Sequence, residues 1–223
     1  LPLPVRGAYS LAPRRRLLLC QADQALQLWQ LPACSAASNG LPAALEAHSS
    51  TDGGAEAAAD EPRQLLQLKP KQPQCNLRCS ALSPDSMWLA CSDSETRLYA
   101  LALAPDPSPG APPSSAPRIG VRRVPLPAEV PQASCMAFSV DSRLLLLGAS
   151  SGVIVAVQLG AADGHGDDDA PSPTLHVLRP PALEGSADGK ERHAALSQLA
   201  LSPDGQWLAA FDAARRVFIF SLD

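Results

Sequence analysis

Apolar residues along this chain come in short runs, many of them alternating with polar ones, and turn-forming residues interrupt the runs before three helical turns could form. Laid against itself, the chain repeats one pattern four times. An apolar alternating run is followed by a tight turn, a second apolar run, a short polar break and a third alternating run ending in a bulky residue. The segments are AYSLAPRRRLLLCQADQALQLWQL from Ala8, CSALSPDSMWLACSDSETRLYAL from Cys79, CMAFSVDSRLLLLGASSGVIVAVQL from Cys135 and SQLALSPDGQWLAAFDAARRVFIFSL from Ser197. Two share S-P-D-x-x-W-L-A, at Ser83 to Ala90 and Ser202 to Ala209. Each S-P-D predicts a hairpin apex: proline presets φ near about −65°, aspartate tolerates the turn, and Gly205 accepts φ > 0 without steric cost. The flanking runs, rich in Leu, Val and Ile, suit strands buried on both faces.

Three further strand candidates, RQLLQLKP from Arg63, RIGVRRVPLP from Arg118 and TLHVLRP from Thr174, each follow a low-complexity stretch and precede the next hairpin. With them each repeat has four strands, a unit that cannot bury its faces alone and stacks radially. The expectation is an all-β chain: a β-propeller of the WD-repeat type over residues 1–223, with about four blades of an incomplete ring. The apexes of the last three repeats are 56 and 63 residues apart, against about 40 to 45 in a usual WD repeat. The excess falls in inserts 32–62, 104–117, 160–173 and 184–194, whose Ala, Ser, Gly, Pro and acidic content cannot form a core and predicts disordered spacer. All are placed after the third run of one repeat and before the extra strand of the next, and so on one face of the propeller. Four units fall short of the usual seven or eight blades, and the chain starts with Leu1 inside a repeat. A fragment of a longer protein is therefore expected.

In WD repeats an Asp before the last strand and a Trp six residues later lock the blade. The matching pairs are Asp23 with Trp29, Asp93 with Tyr99 and Asp212 with Phe218, while Ser151 and Val157 replace both in the third repeat. These residues read as structural.

Composition narrows the function. Of 223 residues, 23 are Pro and 14 Gly, clustered so that the packed part is shorter than the chain. A net charge of −4 argues against a general nucleic-acid coat and leaves only local RNA contact open. Leu17 to Cys20, the longest apolar cluster near the start, is too short for a signal or a membrane span, so a soluble protein is expected. Of six cysteines, Cys20, Cys79, Cys91 and Cys135 fall in or beside strand-like runs and read as reduced thiols of a reducing compartment. Cys75 and Cys79 are spaced C-x-x-x-C, with no second pair at zinc spacing.

Candidate chemistry is sparse. His48, His165 and His193 fall in inserts, and His176 reads as a polar edge residue of a single strand. Asp167, Asp168 and Asp169 form an acidic run better read as solvated than as a cation site. Arg14 to Arg16, Arg122 with Arg123 and Arg215 with Arg216 are basic clusters without the interleaved aromatics of a base reader. G-x-S-x-G, the P-loop and H-E-x-x-H are absent. No catalytic, cofactor or metal residue is assigned, no cofactor or small-molecule substrate is expected, and the partner-binding residues stay open.

The order of a Trp-ended unit (Arg15 to Leu31), a Tyr-ended unit preceded by LLQLK (Leu65 to Lys69), a Ser-Gly unit ending V-x-V-Q-L (Ser142 to Leu159) and LALSPDGQWLAA (Leu199 to Ala210) resembles the C-terminal propeller of the cirhin family. The resemblance implies a non-catalytic WD-repeat scaffold of the small-subunit processome, in its transcription-linked subcomplex, which acts in pre-18S rRNA processing and rDNA transcription. It further implies a nuclear, nucleolar location and partners among other propeller and helical subunits, with the 5′ external spacer of the precursor RNA as a candidate contact and no membrane. The inserts are longer than that resemblance leads one to expect. The alternative is a generic WD adaptor, for example in a ubiquitin ligase or chromatin complex. A propeller hydrolase is a third reading, disfavoured because no acid, base or metal cluster can be assembled.

Overall fold

The structure, a computed structural model, describes residues 9–22, 25–32, 61–69, 77–103, 119–160, 174–180 and 193–222. Apart from their ends, the inserts expected at 32–62, 104–117, 160–173 and 184–194 lie outside the described residues, as do Cys34, Cys75, His48, His165, Asp23 and Asp167 to Asp169.

Among the described residues regular structure is β, with one 3₁₀ turn at Pro13–Arg15. Strands β1 (Tyr9–Ala12), β2 (Leu17–Ala22), β3 (Ala25–Gln30) and β4 (Arg63–Leu68) form the first antiparallel sheet. The second comprises β5 (Cys79–Leu82), β6 (Trp88–Ser92), β7 (Thr96–Leu103) and β8 (Ile119–Val124). The third is β9 (Ala133–Phe138), β10 (Leu144–Ala149), β11 (Ile154–Gln158) and β12 (Leu175–Leu178). The fourth is β13 (Leu196–Leu201), β14 (Trp207–Asp212) and β15 (Val217–Ser221). The first strands β1, β5, β9 and β13 lie side by side in that order, and the others step away from them, so the sheets are four blades of a β-propeller.

The extra strands sit differently from the expectation. Each closes the blade before it: β4 pairs with β3, β8 with β7 and β12 with β11. The third strand of a meander leaves an open row of N–H and C=O groups, and the next segment along the chain satisfies it. The described strand ends that border the inserts divide between two faces. The hairpin apexes and the ends of the third strands share one face, tied by Leu31 N–H to Arg16 C=O, Leu101 N–H to Met87 C=O and Leu159 N–H to Arg143 C=O. The described residues that flank inserts 32–62, 104–117 and 160–173 lie on this apex face. Those that flank 184–194, at the end of β12 and the start of β13, lie on the opposite face, with the turns between second and third strands. We refer to that one as the turn face.

The apexes repeat one arrangement. In Ser83–Asp85, Ser139–Asp141 and Ser202–Asp204 the serine hydroxyl donates to the aspartate, while the aspartate accepts the N–H of Met87, Arg143 or Gln206. The serine oxygens accept from Trp88, Leu144 and Trp207 N–H. The fourth apex position takes positive φ: 53° at Arg16, 66° at Ser86, 62° at Ser142 and 77° at Gly205. Only glycine does so without strain. Ser142 is compensated, its Oγ accepting Asp85 N–H from the neighbouring blade at 3.1 Å. Ser86 is fully buried, and its Oγ has no hydrogen-bond partner among the described residues. Ser86→Gly is accordingly expected to raise stability by about 1 kcal/mol, relief of left-handed strain and of an unpaired hydroxyl exceeding the entropy cost of glycine. Ser142→Gly should bring no such gain, and urea unfolding of the two variants distinguishes them.

Three hydrophobic cores fill the junctions between blades. Leu17, Leu19, Leu26 and Leu28 meet Leu82, Leu89 and Leu101 between the first and second blades. Trp88, Ala90 and Leu98 meet Leu145, Leu147 and Val157 between the second and third. Leu146, Ile154 and Ala156 meet Leu199, Leu208 and Ala210 between the third and fourth. Alternation along each strand sends neighbouring residues to opposite junctions, which is why β6 and most of β10 read as continuous apolar runs. Trp88 is 5% exposed, whereas its repeat equivalent Trp207 on the outer side of the last blade is 48% exposed.

Candidate functional site

The turn between β6 and β7 shapes a surface where charged side chains are both organised and open to solvent at a cleft. Asp93 begins it, buried to 3% exposure. Its carboxylate accepts the Glu95 N–H at 3.1 Å and both oxygens accept from Arg97 Nη2, at 2.9 and 2.8 Å. Arg97 also donates Nε to Glu95 at 2.9 Å, and Arg123 from β8 reaches the same Glu95 oxygen at 3.0 Å. Burial pushes the Asp93 carboxyl up, but the Glu95 N–H and the Arg97 charge outweigh it and hold the group below the ordinary carboxylate range. Glu95 is held low chiefly by the hydrogen bond from Arg97, and then by the Arg123 charge.

The turn is also fastened to the next blade. Thr96 Oγ1 donates to Pro131 C=O at 2.8 Å, Gln132 Nε2 donates to Asp93 C=O, and Ala133 N–H donates to Ser92 Oγ at 3.1 Å. Between the turn and the link from β8 to β9 lies a cleft of about 270 Å³, lined by Glu95, Thr96, Arg123, Leu126 and Gln132 among others. Glu95 and Arg123 are half exposed at its mouth. They offer a partner one acceptor and one donor fork on a rigid base, a recognition surface in character.

The last blade repeats the device. Asp212, 1% exposed, accepts the Arg216 backbone N–H at 2.9 Å and its Nε at 2.8 Å, and the Arg216 guanidinium lies over the Phe218 ring, 4.8 Å from its centroid. Here too burial raises the carboxyl, and the Arg216 hydrogen bonds and charge bring it lower. The Asp-to-aromatic spacing of six is thus bridged by an arginine at the fourth position, the member that the sequence reading passed over. The signal was available as D-x-x-x-R-x-Y and D-x-x-x-R-x-F. In the first blade Gln27 stands at that position and accepts from Trp29 Nε1 at 3.1 Å. In the third, Val155 and Val157 stand at the two positions, both buried.

The remaining candidates are scattered. His176 is exposed on β12, and His193 packs by Gly152 on the turn face. Arg14 to Arg16 cap the first apex, Arg122 and Arg123 lie on an outer strand, and Arg215 and Arg216 form the last turn. Among the described residues no three His, Cys, Asp or Glu side chains gather as metal ligands, and no helix is long and apolar enough to cross a membrane. The described cysteines, Cys20, Cys79, Cys91 and Cys135, are free. Burial pushes the Cys79 thiol up to about 12 and those of Cys91 and Cys135 up to about 11. Thiolate is the reactive species, so at pH 8 the native chain is expected to react with a disulfide reagent at no more than three of its six cysteines, and at all six in denaturant. Rapid native labelling of four or more contradicts this burial.

No protein-family model matches the chain. It is similar to the U3 small nucleolar RNA-associated protein 4 homolog of Mus musculus, 30% identical over 221 residues, and to the protein of that name from Homo sapiens, 30% identical over 222 residues. Each match takes in 98% of this chain and 26% of the relative. The chain spans about a quarter of the length of the curated relatives it matches.

Proposed function

We propose that this chain is a propeller segment of the cirhin family and works as a non-catalytic scaffold in ribosome biogenesis, within the nucleolar small-subunit processome, in pre-18S rRNA processing and rDNA transcription. The observation that carries the reading is the similarity along 98% of the chain to two proteins named for association with U3 small nucleolar RNA. The blade architecture supports it: a rigid set of sheets displays loops on two faces, so several partners can be held at once. The commitment of the buried carboxylates Asp93 and Asp212 to Arg97 and Arg216 favours binding over turnover, since a general acid or base needs a proton it can exchange with substrate. The partners proposed are other propeller and helical subunits, with the 5′ external spacer as the RNA.

The test is to tag the full-length protein that contains this chain, purify it from nuclear extract under a moderate salt wash and identify what stays bound. Processome subunits are the expected company. A ubiquitin ligase or chromatin complex in their place would overturn the reading and leave a WD-type adaptor.

A further inference from the structure

Every junction between blades has an apolar part and a polar part, and both recur at equivalent positions. In the apolar part, Trp88, Ala90 and Leu98 of the second blade turn toward the third, and Leu146, Ile154 and Ala156 of the third turn toward the fourth, all of them buried. Residues of the first strands receive them: Leu82, Phe138 and Leu199 face back across their junctions and are buried too. In the polar part, the carbonyl of the residue six before the apex serine accepts a side-chain donor from the preceding blade. Leu77 accepts from Gln21 Nε2 at 3.1 Å, Ala133 from Cys79 Sγ at 3.5 Å and Leu196 from Ser134 Oγ at 2.6 Å. The two end blades hold the same parts open. On the fourth, Val217 and Ile219 are 62% and 69% exposed where their equivalents Ile154 and Ala156 are buried, and Trp207 is on the same face. Ser197 donates to Phe211 C=O as its equivalent Ser134 does to Gly148 C=O, and is exposed. On the first, Tyr9 and Leu11 are 73% and 52% exposed where their equivalents Leu199 and Leu82 are buried.

We propose that a second copy of this chain fills both ends, the fourth blade of each copy docking on the first blade of the other. The chain itself specifies this occupant: what fits behind Val217 and Ile219 is a first strand of this repeat with its receiving face open, and β1 is one. The two surfaces are the halves of one junction and not copies of each other, so the contact runs head to tail. One contact alone leaves an apolar face at either end, whereas a two-fold pair uses all four faces and closes. Two copies bring twice four blades, and a ring of eight lies within the range that propellers reach, about 4 to 8. Charge does not oppose the contact. Strands β1 to β3 contain no charged residue, and β13 to β15 only the buried Asp212. Docking therefore takes apolar surface out of water and desolvates no ion, while a strongly basic or acidic partner finds nothing on these strands to pair with. In the dimer Trp207 is covered as Trp88 is, and dilution to the single chain uncovers it.

The experiment is sedimentation of the chain over a range of concentration, for wild type, for Ile219→Asp on the fourth blade, for Leu11→Asp on the first, and for an equimolar mixture of the two variants. Wild type is expected to sediment as a dimer that dissociates on dilution, and each variant alone as a monomer. The mixture should pair again, because each variant keeps the half that the other has lost. That pair makes one junction and cannot close, so it should be weaker than the wild-type dimer by about a hundredfold or more. A wild type that stays monomeric, a dimer that survives either variant, or a mixture that does not pair overturns the proposal. So does growth of wild type into longer chains, which would show that the ring does not close. A longer protein containing this chain that is monomeric and loses stability with Ile219→Asp would give the face to another blade of the same polypeptide, and overturns the proposal as well. Both substituted positions are exposed, and β-sheet circular dichroism matching wild type excludes misfolding; Ile219→Lys and Leu11→Lys replace a variant that fails that check. The nuclear purification above is scored on other proteins, so self-association and the processome reading can fail separately.

Discussion

Asp93→Ala is expected to remove about 3 kcal/mol of folding stability, read as a lower urea midpoint at unchanged slope. The substitution deletes the carboxylate that both fixes the Glu95 N–H and compensates Arg97, whose side chain is 10% exposed. A buried guanidinium would be left with the Tyr99 hydroxyl and, as its remaining carboxylate, Glu95, which is itself half exposed and shared with Arg123. The consequence reaches beyond the turn, because Gln132 and Thr96 tie the same residues to the entry of β9. Arg123→Ala, which breaks only the exposed pair, should cost under about 1 kcal/mol. The pH dependence has a definite sign. Asp93 and Asp212 are both held below the ordinary value of about 3.9, so the stability they contribute is complete above that pH and is lost as pH falls through their lower folded values. Wild type should therefore lose stability steeply below about pH 4, and Asp93→Ala more gently. Parallel acid profiles would show that Asp93 is not the linked group.

Gly152→Ala should be of similar severity, about 2 to 5 kcal/mol, for a different reason. Gly152 has φ of +80°, and a Cβ there would run into the Cβ of His193 and sit 2.8 Å from the Ala194 carbonyl. The obstruction includes backbone and the first carbon of a side chain, so no rotamer change relieves it. Two other glycines separate the contributions. Gly205→Ala meets nothing within 4 Å but has φ of +77°, and should cost only the conformational part, about 1 kcal/mol. Gly160→Ala, open and without positive φ, should be close to neutral. Thermal melts of the three variants test the ranking, and a Gly152→Ala protein as stable as Gly160→Ala would show that the link before β13 yields freely.

The hairpins were legible in the sequence because their determinants are local. Ser and Asp close three of the four apexes within a few positions, and alternation on either side announces the strands. The partner of the fourth strand was not legible, since RQLLQLKP, RIGVRRVPLP and TLHVLRP carry no mark of which sheet edge they will complete. That choice is made by the open edge of β3, β7 or β11. The charged turn was half legible. Asp93 and Asp212 stood out by their distance from an aromatic residue, yet what engages them is an arginine between, and a lock built on aromatic packing gave no reason to look there.

Trp88 and Trp207 occupy the same place in two copies of S-P-D-x-x-W, one sealed between blades and the other on open surface. The chain thereby carries one indole in a dry setting and its twin in a wet one. Excited together, they should emit at different wavelengths. A collisional quencher such as acrylamide should extinguish the long-wavelength light of Trp207 first and leave the short-wavelength light of Trp88 until the blades come apart. A Trp207→Phe protein would isolate the sealed indole with Trp29, and the difference spectrum against wild type would report, in solution and without a label, any sheet that comes to cover the last blade.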